Sequence, residues 1–382
     1  MLTRRQFLSY TAALGAASAF SWQTYQYLNR KPPVSINRVG LPLGHLLRDG
    51  KLLSPPIHRY ECNTLILGGG AAGLGALWYL AKHNHRDVLL AEGFERNGNN
   101  AAYTSSDGMK APSGAHYLAL PSKESVYVRE MLADFGILQS DGSFRETDLV
   151  YAPESRLLYQ DKWVEHLLPK EDADSKRFFD LIGRLKQAYG NDGKKIFAIP
   201  IALSSADETW RKLDSLTFKQ WLEQEGYNSS ELLWYLDYCC RDDYGQGIGQ
   251  VSAFAGLHYF AARNSAETVL TWPEGLAHLS ENLRRHAGLQ EGWQWPSENR
   301  IYLEKPASVN ASAVKIKPLS DGRIEVWLRD NAKGETVAIT AQHLISAMPL
   351  MVAARIIESP EKFGLDIPEY APWLVSNFEL HS

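Results

Sequence analysis

The sequence predicts an α/β fold, in which a Rossmann-like nucleotide-binding domain with a parallel sheet is interrupted by a mostly helical insertion. A glycine-rich segment at residues 68–73 lies between a short apolar stretch and a helical pattern, as at the start of a βαβ unit. Residues 121–270 combine helical spacing with many large aromatic side chains. Apolar stretches with period-two alternation return at residues 313–347.

The composition fits a folded protein and excludes several classes. The 382 residues include 40 basic and 44 acidic side chains, for a formal charge of −4, and 45% of residues are hydrophobic. A disordered chain would carry fewer apolar residues, and a nucleic-acid-binding protein usually carries a basic excess. Cys62, Cys239 and Cys240 are too few for a disulfide framework or a four-thiolate metal site. We therefore expect buried cysteines, no metal and no nucleic acid.

The N-terminus has the features of a transport signal. Arg4 and Arg5 precede an uncharged, alanine-rich stretch at residues 9–20, and this pattern resembles a bacterial twin-arginine signal. The stretch is shorter than the ~20 apolar residues that span a bilayer, and small residues predict cleavage after Ala19. Residues 1–19 are therefore predicted to direct a folded protein to the twin-arginine export machinery and the periplasm. An ordinary amphipathic helix is the alternative.

The next elements form the first part of the predicted nucleotide-binding domain, residues 61–120. The preceding residues 20–60 contain five prolines and little periodicity, which predicts a surface linker. Apolar stretches at 62–67 and 87–91 predict two strands. Between them, apolar residues at i, i+3, i+4 and i+7 predict a helix with one buried face: Leu74, Leu77, Trp78 and Ala81. This order predicts a βαβ unit with a parallel strand pair.

Residues 68–73 read Gly-Gly-Gly-Ala-Ala-Gly and satisfy G-x-G-x-x-G between a strand and a helix. Gly68 permits the tight turn, Gly70 lets a diphosphate approach the backbone, and Gly73 lets the helix pack close to the strand. The helix start also presents free amide groups and partial positive charge to the phosphates. The predicted dinucleotide-binding residues of this segment are Gly68, Gly69, Gly70, Ala72 and Gly73.

Glu92 is predicted to bind the ribose of the nucleotide. It follows the second strand, 24 residues after Gly68, where dinucleotide-binding domains place a carboxylate that accepts hydrogen bonds from the ribose hydroxyls. A carboxylate at this position repels a 2′-phosphate, which argues against NADP. An ordinary glycine-rich turn is the alternative to a nucleotide site.

After the insertion, residues 271–356 are predicted to complete the nucleotide-binding domain. Alternating and continuous apolar stretches predict strands at 313–316, 324–328, 336–339 and 343–347. The second of these follows the turn signal Ser-Asp-Gly at 320–322, and the last stops at Met348 and Pro349.

The order of these motifs resembles the flavin-dependent amine oxidases and phytoene-desaturase-like oxidoreductases. The resemblance spans about residues 60–356 and is strongest at residues 65–74. Further matching segments follow in the same order at 107–108, 113–117, 272–275, 313–316, 322–326 and 345–349. It implies a Rossmann-like FAD-binding domain and hydride transfer from a small organic substrate, with amines as one class, to the flavin. Electrons would then pass to oxygen or another acceptor.

The resemblance also implies further cofactor contacts. Gly98 and Asn99 would touch the diphosphate. Gly114 lies in the segment that passes the flavin ring in that family, and Val314 lies in the segment that closes over the adenine.

The sequence departs from that family at three places. Where that family has a basic Gly-Gly-Arg-like segment, this sequence has Arg-Asn-Gly-Asn-Asn at 96–100, which carries less charge. Residues 372–378 lack the lysine that many amine oxidases place near the flavin. The family's last segment, with a Gly-Asp or Gly-Glu motif, has no counterpart, so residues 357–382 are interpreted as a truncated tail. We therefore expect a truncated product or a split gene whose partner chain completes the flavin site.

The predicted helical substrate domain, 121–270, holds four candidates for a substrate pocket: Arg241, Asp243, Tyr244 and His258. Arg241 is suited to an acidic group, and Asp242 or Asp243 to a cationic amine. The alternative is a capped helix end and a core histidine whose hydrogen bonds are satisfied. No catalytic base is predicted.

The sequence thus predicts a FAD-dependent oxidoreductase of the amine-oxidase type. Two alternatives remain open. One is a non-catalytic nucleotide-binding subunit or remnant that needs a partner chain. The other is an NAD-dependent dehydrogenase.

Overall fold

The computed structural model describes residues 34–51, 54–151, 156–168, 170–263 and 268–380. The predicted signal, residues 1–19, lies outside them. The described residues form ten α-helices: α1 Leu41–Arg48, α2 Ala71–Lys82, α3 Val126–Asp134, α4 Ala173–Lys186, α5 Glu208–Arg211, α6 Phe218–Gln224, α7 Ser230–Tyr244, α8 Ala253–Ala261, α9 Ala277–Ala287 and α10 Leu350–Ile356. None of these helices is long and apolar enough to cross a membrane.

The same described residues form thirteen strands in four sheets. The strands are β1 His58–Leu67, β2 Val88–Ala91, β3 Ala102–Thr104, β4 Lys110–Pro112, β5 Tyr117–Ala119, β6 Leu149–Tyr151, β7 Leu157–Tyr159, β8 Lys162–Val164, β9 Thr268–Thr271, β10 Ala307–Val309, β11 Ala311–Pro318, β12 Ile324–Asp330 and β13 Thr336–Ser346.

The largest sheet has six strands in the order β10-β2-β1-β13-β12-β11. The first four strands of this order are parallel, and β12 and β11 continue the sheet as an antiparallel pair. At its centre, Leu65 of β1 is opposite Leu89 of β2 on one side and Leu344 of β13 on the other. The α/β class, the parallel sheet and the βαβ start are confirmed.

Both faces of this sheet are covered, as is usual for parallel strands. Successive side chains of a strand point to opposite faces, and β1 shows this directly. Leu65 and Leu67 belong to one buried cluster, whereas Ile66 belongs to another. Helices α2 and α9 cover the face of Ile66, with Leu74 and Leu279 in the same cluster. The helical pattern around the glycine-rich segment is thereby explained by burial on the sheet.

The middle of the chain is mostly helical, as predicted, but it also contains strands. Helices α4, α6, α7 and α8 surround a separate aromatic core in which Phe178 and Phe218 are fully buried. Strands β5, β9 and β6 form a small antiparallel sheet, and β7 and β8 form a hairpin. Three-residue strands such as β6 are too short to leave a period-two pattern, which is why the sequence did not reveal them.

Two expectations about boundaries need correction. The segment predicted as a linker contains α1 and the first residues of β1, which starts at His58. The predicted strands at 336–339 and 343–347 are one strand, β13, because it pairs along its whole length with β1, from Val337 opposite His58 to Ser346 opposite Leu67. The three cysteines are free and buried, as expected.

Candidate nucleotide-binding site

The glycine-rich segment forms a tight turn at the carboxyl end of β1. The Gly68 amide donates to the Ala91 carbonyl and the Gly69 amide donates to the Glu92 carbonyl, each at 2.9 Å. Gly68 has a φ of +106°, and a Cβ there would lie 3.0 Å from the carbonyl oxygen of Ala347. A side chain at this residue would strain the backbone and collide with the chain that follows β13.

Helix α2 crosses this turn at a distance that only glycine allows. A Cβ on Gly73 would lie 1.8 Å from the Gly68 carbonyl oxygen. A Cβ on Gly70 would meet only the Cα of Gly98, at 3.9 Å, so the space in front of the helix start is open. Gly70 is the N-cap residue, and no side chain caps the helix.

The first turn of α2 therefore offers donors to a ligand. Among the residues that the structure describes, no acceptor bonds to the amides of Ala71, Ala72 and Gly73. These amides carry the partial positive charge of the helix start, which favours an anion such as a diphosphate.

A second loop packs against this turn. Gly98 has a φ of +57° and starts a short 3₁₀ turn, Gly98–Asn100. A Cβ on Gly98 would lie 3.0 Å from the Cα of Gly70. Gly98 and the neighbouring Asn99 therefore stand beside the open space at the helix start, where the resemblance places diphosphate contacts.

Glu92, at the carboxyl end of β2, is held by an arginine from α9. Arg284 binds its two carboxylate oxygens through Nη1 and Nη2, at 2.9 and 2.8 Å. The side chain of Arg284 is only 3% exposed and that of Glu92 is 16% exposed. Because each Glu92 oxygen has two acceptor positions, the carboxylate keeps capacity for ribose hydroxyls.

The charge on Glu92 is stabilised in this environment. Desolvation raises the pKa of its carboxyl group, but hydrogen bonds from Arg284 and Ser308 and the positive charges of Arg284 and Arg96 outweigh it, so the pKa lies below its ordinary value. Glu92 is therefore an ionised hydrogen-bond acceptor at neutral pH.

The loop at 96–100 is fastened to α9 and the segment that follows it. Arg96 forms ion pairs with Glu281 at 2.7 Å and Glu291 at 2.9 Å. Asn100 donates to the Ser280 hydroxyl at 3.1 Å. Arg96 and Arg284 thus have carboxylate partners, so a diphosphate at the turn would rest on backbone amides rather than on either of these guanidinium groups.

Comparisons with known proteins agree with this geometry. Residues 66–135 match the family model described as NAD(P)-binding Rossmann-like domain. The chain contains a Rossmann-like domain. No curated protein matches the sequence.

Solved structures extend the similarity beyond the matched segment. A putrescine oxidase with redesigned cofactor binding aligns with 78% of this chain and 60% of its own, with a TM-score of 0.53 and 14% identity. A fatty acid isomerase from P. acnes that produces CLA aligns with 78% of this chain and 61% of its own, with a TM-score of 0.50 and 17% identity. At such identities the match shows a shared fold, and this chain spans about three-fifths of each of those structures.

The predicted adenine contact, Val314, lies three residues after Ala311 in the Rossmann-like domain. It is buried in β11, which pairs with β12. The residues that bond to the end of β2 come earlier, because the Glu92 and Gly93 amides donate to the carbonyls of Val309 and Ala311 at 3.1 and 3.0 Å. The sequence pattern predicted a strand at 313–316 but not β10, the strand that pairs with β2.

The segment that resembles the flavin loop lies between two later parts of the chain. Gly275 packs on it so closely that a Cβ would lie 2.6 Å from the Ala115 carbonyl oxygen. On another side, a Cβ on Gly114 would be 3.7 Å from a methyl group of Val375. His116 donates a hydrogen bond through Nδ1 to the Gly114 carbonyl at 3.0 Å, so it is a loop histidine bonded to the backbone.

The four candidates in the helical region all have partners within the chain. Arg241 pairs with Asp237 at 2.6 Å, and Asp243 pairs with Arg263 at 2.6 Å. The Tyr244 hydroxyl donates to the Ala255 carbonyl at 2.9 Å. The next residue, Gly245, ends α7 in the left-handed conformation. The geometry here is that of a capped helix end.

His258 of α8 is also occupied by the protein. Its Nε2 lies 2.7 Å from the Ala198 carbonyl oxygen, to which it donates. Burial lowers the pKa of His258, and the hydrogen bond only partly opposes this effect. His258 is therefore a neutral core histidine with a satisfied hydrogen bond.

Sequence reasoning missed Arg284, Asn97 and Ser308, which complete the surroundings of Glu92. Arg284 donates through Nε to the Asn97 side chain at 2.9 Å, and Asn97 is 3% exposed. Arg284 is one of two successive arginines on an amphipathic helix, and its spacing from Ala277, Ser280 and Ala287 places it on the buried face. The sequence contains no signal that joins it to Glu92, 192 residues earlier.

Proposed function

We propose that this chain binds FAD and acts as a flavin-dependent oxidoreductase that takes a hydride from a small organic substrate. The observation that carries the proposal is the meeting of distant parts of the sheet at one open corner. The turn at Gly68 lies against Ala347 after β13, and Glu92 is bonded to Val309 of β10. A ligand at this corner would touch both the first and the last part of the domain.

The residues at the corner fit the ADP half of FAD. The open space at Gly70 is a cradle that a side chain would fill. The amides of Ala71, Ala72 and Gly73 would hold the diphosphate, with Gly98 and Asn99 beside it. Glu92 would accept hydrogen bonds from the adenosine ribose.

When bound, the flavin supplies the redox chemistry, since its ring system accepts the hydride. This chain's own residues bind and orient the cofactor. The loop around Gly114, which resembles the flavin loop, would lie along the ring and limit the approach of water. The proposed substrate class includes amines, and this rests on the resemblance to amine oxidases.

Two other functions have support of their own. The family description NAD(P)-binding Rossmann-like domain favours a nicotinamide cofactor. A nucleotide-binding subunit that works with a partner chain is the other alternative, and the open space at Gly70 would serve it equally.

The test is the spectrum of the purified full-length protein. We expect a stoichiometric yellow chromophore with flavin absorption that bleaches when a substrate from a panel of small amines is added without oxygen. Colourless protein that takes up no added FAD would contradict the proposal. Flavin that appears only with a neighbouring gene product would support the subunit instead, and tight binding of NAD without flavin would support the dehydrogenase.

The Gly70→Val substitution tests where the cofactor sits. Valine is compatible with the backbone of Gly70, whose φ is −81° and ψ −173°, but its side chain would occupy the proposed diphosphate position. We expect loss of bound flavin with an unchanged circular dichroism spectrum. Gly75→Val, where a Cβ on the same helix meets nothing within 4 Å, is the matched control and should keep the flavin.

We also propose that the twin-arginine motif delivers the protein to the periplasm. The paired arginines and the short uncharged stretch after them support this location.

A further inference from the structure

The side chain of Arg284 is almost completely buried, and four of its hydrogen bonds surround Glu92 and its neighbours. Nη1 and Nη2 bind the two oxygens of Glu92, Nε binds Asn97 at 2.9 Å, and Nη1 also reaches Glu291 at 3.2 Å. Asn97 in turn donates to Glu281 at 2.8 Å. The guanidinium group therefore has no freedom to turn away from Glu92.

This arrangement fixes the direction of the Glu92 carboxylate. A two-point arginine–carboxylate pair holds both groups in one plane. Removal of Arg284 would leave the Glu92 carboxylate largely buried without its direct cationic partner, which is strongly unfavourable, whereas Arg284 also pairs with Glu291. Arg284 thus determines where the acceptor positions of Glu92 lie, although it stands behind the carboxylate.

The same pair bears on the choice between nucleotides. With Glu92 present, the site offers a carboxylate to the ribose. This carboxylate accepts hydrogen bonds from the ribose hydroxyl groups and repels a phosphate. If the carboxylate were removed, the site would offer a fixed guanidinium group, and arginine binds phosphate through two parallel hydrogen bonds.

We propose that Arg284 is a positioning and specificity-determining residue of the nucleotide site. It holds Glu92 for the ribose hydroxyls of an ADP moiety without a 2′-phosphate, and Glu92 masks a guanidinium group that would otherwise bind that phosphate. The proposal rests on the proposed nucleotide site but is independent of the flavin half.

The test compares two ligands that differ only in the 2′-phosphate, ADP-ribose and 2′-phospho-ADP-ribose. Their binding to the full-length chain, freed of co-purifying nucleotide, is measured by calorimetry. We expect the natural protein to prefer ADP-ribose by about tenfold or more, since the Glu92 carboxylate accepts a hydrogen bond from the 2′-hydroxyl group but repels a 2′-phosphate. Arg284→Met should weaken ADP-ribose binding by about tenfold, and Arg284→Lys should recover part of the loss.

The deciding variant is Glu92→Ser, which leaves Arg284 in place. We expect its preference to reverse in favour of 2′-phospho-ADP-ribose, and the reversal to disappear in Glu92→Ser with Arg284→Met. A merely structural arginine would not produce this reversal, and Glu92→Ser remains informative if the Arg284 variants fail to fold. Arg285→Met changes the exposed neighbour on the same helix and should leave both affinities unchanged.

The outcomes separate this inference from the proposed function. No reversal in Glu92→Ser, or equal effects of Arg284→Met and Arg285→Met, would overturn the role of Arg284 while leaving flavin binding intact. Binding of ADP-ribose by a protein that takes up no flavin would contradict the oxidoreductase and leave this inference standing. Failure of the natural protein to bind either ligand would overturn the inference.

Discussion

Gly73 shows how one residue determines the distance between a helix and the strand before it. The side of α2 that faces the turn has no room for a methyl group at this residue, since a Cβ would lie 1.8 Å from the Gly68 carbonyl oxygen. That carbonyl belongs to the backbone and cannot move without disturbing the turn. The close packing of α2 on this turn therefore depends on the absence of a side chain at residue 73.

Gly73→Ala should accordingly lower the free energy of unfolding by roughly 1–3 kcal/mol, the usual range for overpacking. Gly75→Ala on the same helix should raise it by roughly 0.5–1 kcal/mol, because alanine favours the helix and its Cβ meets nothing within 4 Å. Urea denaturation of both variants measures the two values. Equal stability of the variants would mean that α2 crosses the turn at a greater distance.

Glu92 and Arg284 show a different principle at the residue scale. A buried ion pair is weak support for stability, because desolvation of both groups offsets their attraction. In the proposed nucleotide site, the pair orients an acceptor toward the ribose from its position at the end of β2. The role proposed for it is in binding rather than in stability, so the ligand comparison is the informative test.

At the scale of elements, the capping residues of the middle-region helices determine where each helix begins, and this matters as much as their apolar faces. The Thr217 hydroxyl accepts a hydrogen bond from the backbone amide of Gln220 at 3.1 Å. In return, the Gln220 side-chain oxygen accepts one from the backbone amide of Thr217 at 2.9 Å. This capping box starts α6 and places Phe218 and Trp221 in the aromatic core.

Thr217→Ala removes the capping oxygen and should lower the free energy of unfolding by about 1 kcal/mol. Thr217→Ser keeps an oxygen at the same place and should remain close to the natural protein. Thermal denaturation followed by circular dichroism compares the two. If both substitutions cost the same, the methyl group of Thr217 rather than its hydroxyl group would be responsible.

The elements also show which features a sequence pattern can predict. The βαβ unit was predicted because β1, α2 and β2 bury residues at regular spacing, and the structure confirms it. The short strands β5 and β6 were missed, because three residues carry too little periodicity and their pairing partner β9 is distant in the sequence. The substrate-pocket candidates Arg241 and Asp243 were chosen for their chemistry, but their ion pairs depend on packing that the sequence does not show.

At the scale of the whole molecule, the sheet order brings the two ends of the Rossmann-like domain together. Strand β13 lies beside β1 and β10 lies beside β2, although more than 200 residues separate the members of each pair. The helical region is inserted between them, with an aromatic core of its own. A nucleotide site at this corner thus requires most of the chain to be folded.

Such a site suits the proposed export route, in which the whole protein is carried across the membrane after folding. The double substitution Arg4→Lys and Arg5→Lys should abolish periplasmic accumulation and leave the protein inside the cell, as measured by cell fractionation. Arg30→Lys with Arg38→Lys makes the same chemical change outside the motif and should not affect delivery. Unchanged delivery of the first variant would contradict the signal.

The amino-acid sequence alone determined the local geometry of this protein. The turn at Gly68, the close crossing at Gly73 and the burial of α2 follow from backbone sterics and from side-chain spacing within a few residues. Only the tertiary structure decided that Arg284 holds Glu92 and that the Glu92 amide bonds to the Val309 carbonyl. The physical reason is that ion pairs and strand registers between distant segments depend on how the whole sheet is assembled, and no local pattern encodes that assembly.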